Sequence, residues 1–289
     1  MSTTLASRPV ARDITAAIPY VGADVERIDV RFDEPGAAIP VAAHEMLVRD
    51  GRSTVPPPSL DREGLTIAHH PSAVVRHRRD ELIAANAAPS DEPQAVNLAY
   101  MDEHLDLIAR LSGAREVFAQ LDTITVRFSE RAATKSWMGT AAFAHFDFEA
   151  SSADRLLADT LRLTGRTVAP FSRQVLYQTW RVITPPPQDR PLALCDGRTV
   201  QTGDVVPMDF HGPAGSRNAF VRSRAGRHSP EHRWFYYPDM TPDEVLVFKG
   251  FDSAAPAGRT AMHTAFDDPS RTDPVPRGSV ECRFIALYD

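Results

Sequence analysis

Prolines restrict this chain more than any other feature: 24 of them are spread through 289 residues. Each lacks a backbone donor and breaks a helix interior, so short strands joined by turns are favoured over long helices. Between the prolines, short runs show the period of two that a half-buried strand requires. Thr123–Phe128 puts Ile124, Val126 and Phe128 on one face, and Val175–Thr184, Val245–Phe251 and Val280–Tyr288 are further strand candidates.

Two helices are expected against this background. Asn97–Leu111 carries Leu98, Met101, Leu105, Ile108 and Leu111 on one face and is stopped by Gly113. Ser151–Leu163 is the second, with Ser151 or Ser152 as cap and Asp154 in its first turn. Residues 1–95 read as irregular scaffold, with a turn at Asp50-Gly51-Arg52 and an extended connector at Val55-Pro56-Pro57-Pro58. The expected organisation is one domain over 1–289: an N-terminal scaffold with a helix over 1–115, then a mainly β core over 120–289. Short antiparallel strands to the C-terminus suggest a double-stranded β-helix, the cupin-like jelly roll, with flanking helices.

The chemistry concentrates in that core. His145-Phe146-Asp147, then His263, supply two imidazoles and a carboxylate. This is the donor set of a mononuclear non-haem Fe(II) centre that keeps half of its coordination sphere open. Residues two apart on a strand point to the same face, so His145 and Asp147 can reach one ion. Arg277-Gly278-Ser279 follows, a guanidinium and a hydroxyl on one strand face, suited to gripping a carboxylate. Arg283 lies on the same face and could share or replace that role. Metal triad and anion clamp in this order have the layout of a 2-oxoglutarate-dependent oxygenase. Three protein ligands leave three positions, two for 2-oxoglutarate and one for O2.

Composition excludes several other classes. The chain is mildly acidic, with a formal charge of −6, and has no basic block, which argues against a nucleic-acid partner. No apolar run approaches the roughly 20 residues of a membrane span. The opening MSTTLASRPVARDITAAIPY lacks the apolar region of a secretory signal, so a cytoplasmic location is expected. Two cysteines, Cys195 and Cys282, are too few for a disulfide framework. A small-molecule substrate is what remains.

Several segments together resemble the CmcJ/AsaB-like oxygenase family, which includes a cephamycin methoxylation component and relatives of fungal gibberellin desaturase. The likeness starts at Asp50-Gly51-Arg52 and Ser59-Leu60-Asp61-Arg62-Glu63-Gly64-Leu65, and continues through His145-Phe146-Asp147, Trp180-Arg181 and Pro191-Leu192-Ala193-Leu194-Cys195-Asp196. It is strongest at His232-Arg233-Trp234-Phe235-Tyr236-Tyr237-Pro238-Asp239-Met240, and ends with His263-Thr264-Ala265-Phe266 and Arg277-Gly278-Ser279-Val280-Glu281-Cys282-Arg283. Thr179 before Trp180-Arg181, and the phenylalanines flanking Asp147, depart from the family's usual residues. The resemblance implies a jelly-roll oxygenase of specialised metabolism using Fe(II), 2-oxoglutarate and O2. Retention of Asp147 points away from halogenation, which in this superfamily needs the carboxylate lost, and towards hydroxylation, desaturation or oxidative ring closure.

Bland readings stand beside these. His145 and His263 could be satisfied core histidines, and His69, His70, His77, His104 and His228 read as surface or packing residues. Arg277 has rival salt-bridge partners in Asp273 and Glu281, and Arg181 with Asp196 reads as a buried ion pair. Arg181 and Arg233 are also placed near the presumed mouth, where they would suit a carboxylate-bearing amphiphile. Two alternative functions remain open: an Fe(II) oxidase without 2-oxoglutarate, and an accessory binding subunit of a tailoring enzyme pair.

Overall fold

A computed structural model describes residues 11–31, 39–88, 94–121, 124–134, 139–211, 221–254 and 260–289. Fifteen strands and four α-helices run through the described residues. The N-terminal part gives β1 (Ile14–Val21), β2 (Ile28–Arg31), β3 (Val41–Asp50), β4 (Leu65–His69), α1 (Ala73–His77), α2 (Arg79–Ala85) and α3 (Ala95–Ser112). Then come β5 (Glu116–Ala119), β6 (Thr125–Phe128), β7 (His145–Phe146), α4 (Ala150–Thr164), β8 (Arg173–Val182) and β9 (Leu192–Cys195). The chain closes with β10 (Val205–His211), β11 (Val221–Gly226), β12 (Trp234–Tyr236), β13 (Glu244–Asp252), β14 (His263–Ala265) and β15 (Gly278–Tyr288).

These strands form two sheets, a nine-stranded one in the order β1-β3-β12-β9-β14-β7-β11-β10-β2 and a six-stranded one in the order β4-β13-β8-β15-β5, with β6 also on β15. The fold is the expected jelly roll. The described part of residues 1–95 is not irregular: β1, β2 and β3 extend the larger sheet and β4 the smaller one. β3 buries a face only at its C-terminal end, through Met46, Val48 and Asp50, after a largely exposed first half. The first ten residues, and Thr123 at the expected start of β6, lie outside the described residues.

Alternation along β8 and β15 divides the smaller sheet into two faces. Val175, Tyr177, Val280, Cys282, Phe284 and Ala286 pack outward against α3. Leu176, Ile285 and Leu287 point the other way and pack under α4. Further along that inner face, Trp180 and Val182 meet Leu194 and Phe235 of the larger sheet. Between these two apolar zones the inner face is polar, and the site forms there.

Both helices extend one or two residues beyond their expected bounds and end at Gly113 and Gly165, each in the left-handed conformation. The buried face of α3 is rotated only partway from the expected one: Met101 and Ile108 are buried as expected, Tyr100, His104 and Leu107 join them, and Leu111 is exposed. The rotation serves Arg181. This outward-facing β8 residue is fully buried, with Nε donating to Tyr100 Oη at 3.1 Å, Nη1 to the His70 and Pro242 carbonyls at 2.7 and 2.6 Å, and Nη2 3.0 Å from His104 Nε2. Burial and the Arg181 charge push the His104 imidazole down to about 3, so it stays neutral and accepts. Arg181 therefore does not pair with Asp196, which instead binds Arg198 at 2.8 Å. Arg181→Met leaves several buried polar atoms unpaired, and urea unfolding is expected to show a loss of about 2–4 kcal/mol. For α4, neither serine caps: Glu149 holds the cap position, and Ser152 instead bonds the Arg222 carbonyl at 2.8 Å.

The Trp234–Tyr237 run is buried throughout, Trp234 and Tyr236 on one face and Phe235 and Tyr237 on the other. It lies parallel to β3, with Tyr236 opposite Asp50. A Cβ on Gly51 would stand 2.7 Å from the Tyr237 ring, so only glycine admits this approach. The first and the strongest marks of the family resemblance thus brace each other.

Candidate metal centre

β7 is two residues long, and its pairing decides the site. It lies antiparallel to β14 with His145 directly opposite His263. Cross-strand partners in such a pair bring their Cβ atoms to roughly 4.5–5.5 Å, and here the imidazole centroids are 4.3 Å apart. Asp147, two residues after His145, shares its face. Its Oδ1 lies 3.4 Å from His145 Nε2 and 3.9 Å from His263 Nε2. Donor atoms of the three residues all lie within 4.8 Å of one another. Among the described residues no other His, Cys, Asp or Glu group meets that test.

The donor set fits a divalent cation in charge and tautomer as well. His145 Nδ1 is 2.8 Å from the Phe143 carbonyl and His263 Nδ1 is 3.3 Å from the Ala261 carbonyl. A carbonyl only accepts, so each Nδ1 carries the proton and each Nε2 keeps its lone pair for the ion. Burial, reinforced by His145, pushes His263 down to about 4 and keeps it neutral at neutral pH. Burial would raise Asp147, but the Arg283 guanidinium and the two imidazoles hold it well below the usual carboxylate range. A neutral imidazole and an ionised carboxylate are the forms that bind metal.

Asp147 Oδ2 faces away from the imidazoles. It accepts from Gln178 Nε2 at 2.6 Å and from Arg283 Nη2 at 2.8 Å. Gln178 and Arg283 are direct partners across β8 and β15. The next inward pair on the same strands is Trp180 and Glu281. Glu281 Oε1 accepts from Arg127 Nε and Nη2 at 3.1 and 3.0 Å, and stands 3.5 Å from Arg283 Nη2. Burial would raise its carboxyl, but Arg127 and Arg283 lower it.

Arg277 lines the same pocket as His145, Asp147 and His263. Arg277 is 1% exposed, and its guanidinium sits 5.4 Å from the Trp180 ring centroid. Nη1 donates to the Arg190 carbonyl at 2.7 Å, while Nε is buried without a partner among the described residues. Burial, helped by Arg127 and Arg190, lowers it to about 10. Neither expected salt-bridge rival holds it: Glu281 belongs to Arg127 and Arg283, and among the described residues Asp273 forms no ion pair with it; a third carboxylate, Asp189, accepts only from the Arg277 backbone. Ser279 is buried on the same strand face but lies outside the pocket lining.

A second, larger cavity of about 460 Å³ opens onto the same centre. Phe143, Phe148, Leu156, Met208, Phe210 and Val221 give it an apolar wall, while Arg127, Asp147 and Arg283 stand at its metal end. Arg181 and Arg233 do not line it: one is under α3 and the other is in an outer groove with His228 and His232.

The model of a family described as YDMC, an oxidoreductase/YMDC permease-like domain, matches residues 24–287. The chain belongs to this family, the CmcJ/AsaB-like Fe(II)/2-oxoglutarate oxygenases. The hydroxylase/desaturase asaB of Aspergillus flavus is 34% identical over 131 residues, covering 41% of this chain and 57% of that protein. The hydroxylase/desaturase efuI of Hormonema carpetanum is 25% identical over 271 residues, covering 84% of this chain and 83% of that one. The solved structure of the iron and alpha-ketoglutarate-dependent endoperoxidase NvfI superposes with a TM-score of 0.75 at 22% identity, covering 96% and 98% of the two chains. That likeness shows the fold.

In this CmcJ/AsaB-like oxygenase the structure brings His145, Asp147, His263 and Arg277 to one pocket, with Arg283 against Asp147. Sequence reasoning missed Gln178 and Arg127, and took Glu281 only as a partner for Arg277. The signal for Glu281 was present, since it stands midway between Ser279 and Arg283 in the period of two. Gln178 and Arg127 carried no local signal, because only the registers of β8 and β6 against β15 place them.

Proposed function

We propose that the protein binds Fe(II) through His145, Asp147 and His263 and oxidises a C–H bond of a small metabolite, coupled to 2-oxoglutarate decarboxylation. The carrying observation is Arg277, a buried guanidinium in the ligand pocket with an unpartnered Nε. An unpaired buried cation is costly, and a planar carboxylate is its natural counter-ion. On this reading Arg277 holds the distal carboxylate of 2-oxoglutarate, with Ser279 on the same strand face but outside the pocket lining. Bound iron with 2-oxoglutarate and O2 supplies the oxidising chemistry, which yields succinate and CO2.

The chain's own residues bind and orient. The phenylalanines, Leu156 and Met208 exclude water and hold an apolar substrate body, while Arg127, whose nitrogens are engaged by Glu281 and the Gly139 carbonyl, adds positive charge near the metal end. Hydroxylation, desaturation and ring closure all fit an intact triad. The names of asaB and efuI support the first two. We further propose that the whole chain works as one cytoplasmic oxygenase domain on a small carboxylate-bearing molecule, without nucleic acid. No described helix is long and apolar enough to cross a membrane.

The test is iron-loaded protein incubated with apolar acids of matching size, with succinate measured by mass spectrometry. Succinate formation that rises with a substrate gaining one oxygen or losing two hydrogens supports the reading. Substrate oxidation at full rate without 2-oxoglutarate overturns it in favour of an Fe(II) oxidase.

A further inference from the structure

We infer that Gln178 and Arg283 are positioning residues that lock Asp147 as a one-oxygen ligand by occupying its second oxygen. This rests on the metal-binding reading above, and it gives Arg283 a task other than holding 2-oxoglutarate.

A carboxylate beside a divalent cation can bind through one oxygen or both. Binding through both would use a coordination position that co-substrate or O2 needs. In this protein the choice is built in. Oδ1 faces both imidazole Nε2 atoms, and Oδ2 accepts two charge-assisted hydrogen bonds, one of them from a guanidinium, at 2.6 and 2.8 Å. Turning the carboxylate to present Oδ2 would break both bonds in a buried site.

The donors are themselves held. Arg283 is braced by Glu281, which Arg127 grips with two nitrogens. Gln178 is set by its surroundings: among the described residues its Oε1 has no hydrogen-bond partner and is buried beside Gly250. A Cβ on Gly250 would lie 2.4 Å from Gln178 Oε1 and 3.0 Å from the Phe148 ring. Gly250 sits where the β13–β8 register shifts between Lys249 and Phe251. The irregularity and the missing side chain together give the Gln178 amide its room. Gly250→Ala therefore perturbs the lock without removing any polar group.

The experiment compares wild type with Gln178→Ala, Arg283→Ala, Arg283→Lys, Gly250→Ala and Arg277→Ala. Metal affinity is measured anaerobically with Fe(II) alone, and 2-oxoglutarate affinity is read separately at saturating Fe(II) from the visible charge-transfer band. The spectrum of the Co(II)-loaded protein reports ligand number, and thermal unfolding reports folding. The expected result is a roughly 10–100-fold loss of Fe(II) affinity in Arg283→Ala and Gln178→Ala, the size seen when an outer partner of a ligand is removed. Gly250→Ala should follow Gln178→Ala, Arg283→Lys should recover part of the loss, and the Co(II) spectra of the alanine variants should shift. Arg277→Ala should keep metal affinity and lose 2-oxoglutarate. Folded Arg283→Ala and Gln178→Ala proteins with wild-type metal affinity and Co(II) spectrum overturn the inference. So does an Arg283→Ala defect confined to 2-oxoglutarate affinity, which makes Arg283 the clamp. If wild type binds Fe(II) but not 2-oxoglutarate, the co-substrate reading falls while the lock is still decided by the metal data.

Discussion

Purified His145→Ala and His263→Ala proteins are expected to contain almost no iron and to form no succinate. Each variant removes one of two nitrogen donors whose tautomer the Phe143 and Ala261 carbonyls set. Losing even an outer partner of a ligand typically weakens binding by roughly 10–100-fold, so loss of the ligand itself should exceed that. Metal analysis checks it. Both histidines stand on the core strands and their Nε2 atoms face Asp147 rather than packing partners, so thermal unfolding of the metal-free variants should stay close to wild type. Full iron occupancy and turnover in both would sink the assignment. Asp147→Gly differs in kind, because it also leaves Arg283 and Gln178 without their shared acceptor.

Arg277→Ala should weaken 2-oxoglutarate binding by about 1.5–3 kcal/mol, or roughly ten- to a hundred-fold, with iron content unchanged. Arg277→Lys should recover little, since an ammonium cannot present the planar fork and cannot stack on Trp180 in the same way. The measurement is the 2-oxoglutarate KM, paired with anaerobic titration of the charge-transfer band. An unchanged KM in Arg277→Ala would remove Arg277 from the site.

Against these expectations, what could be read in advance divides by range. The triad was legible because two of its members are two residues apart and the third carries the remaining imidazole in a strand-rich frame. The strands β8, β13 and β15 were legible for a similar reason, since each is long enough to show its period. Residues 14–50 were not, because the first half of β3 is exposed and its alternation is confined to Met46, Val48 and Asp50. The Trp234–Tyr237 run, the most specific family mark, builds core rather than site.

Arg181 and Arg283 show the difference most clearly. Both are arginines on the smaller sheet, in adjacent strands, and nothing in their immediate neighbours separates them. Alternation sends Arg181 outward to Tyr100 and His104, and Arg283 inward to Asp147. By itself the sequence determined the donor types, their shared strand face and the mainly β architecture, because backbone geometry carries a period of two within a few residues. Only the tertiary structure decided that His145 stands opposite His263, that Gln178 and Arg283 converge on one carboxylate oxygen, and that Arg277 is left without a carboxylate. Those outcomes depend on which strands pair and in what register, and long-range packing of two sheets settles that rather than any local preference.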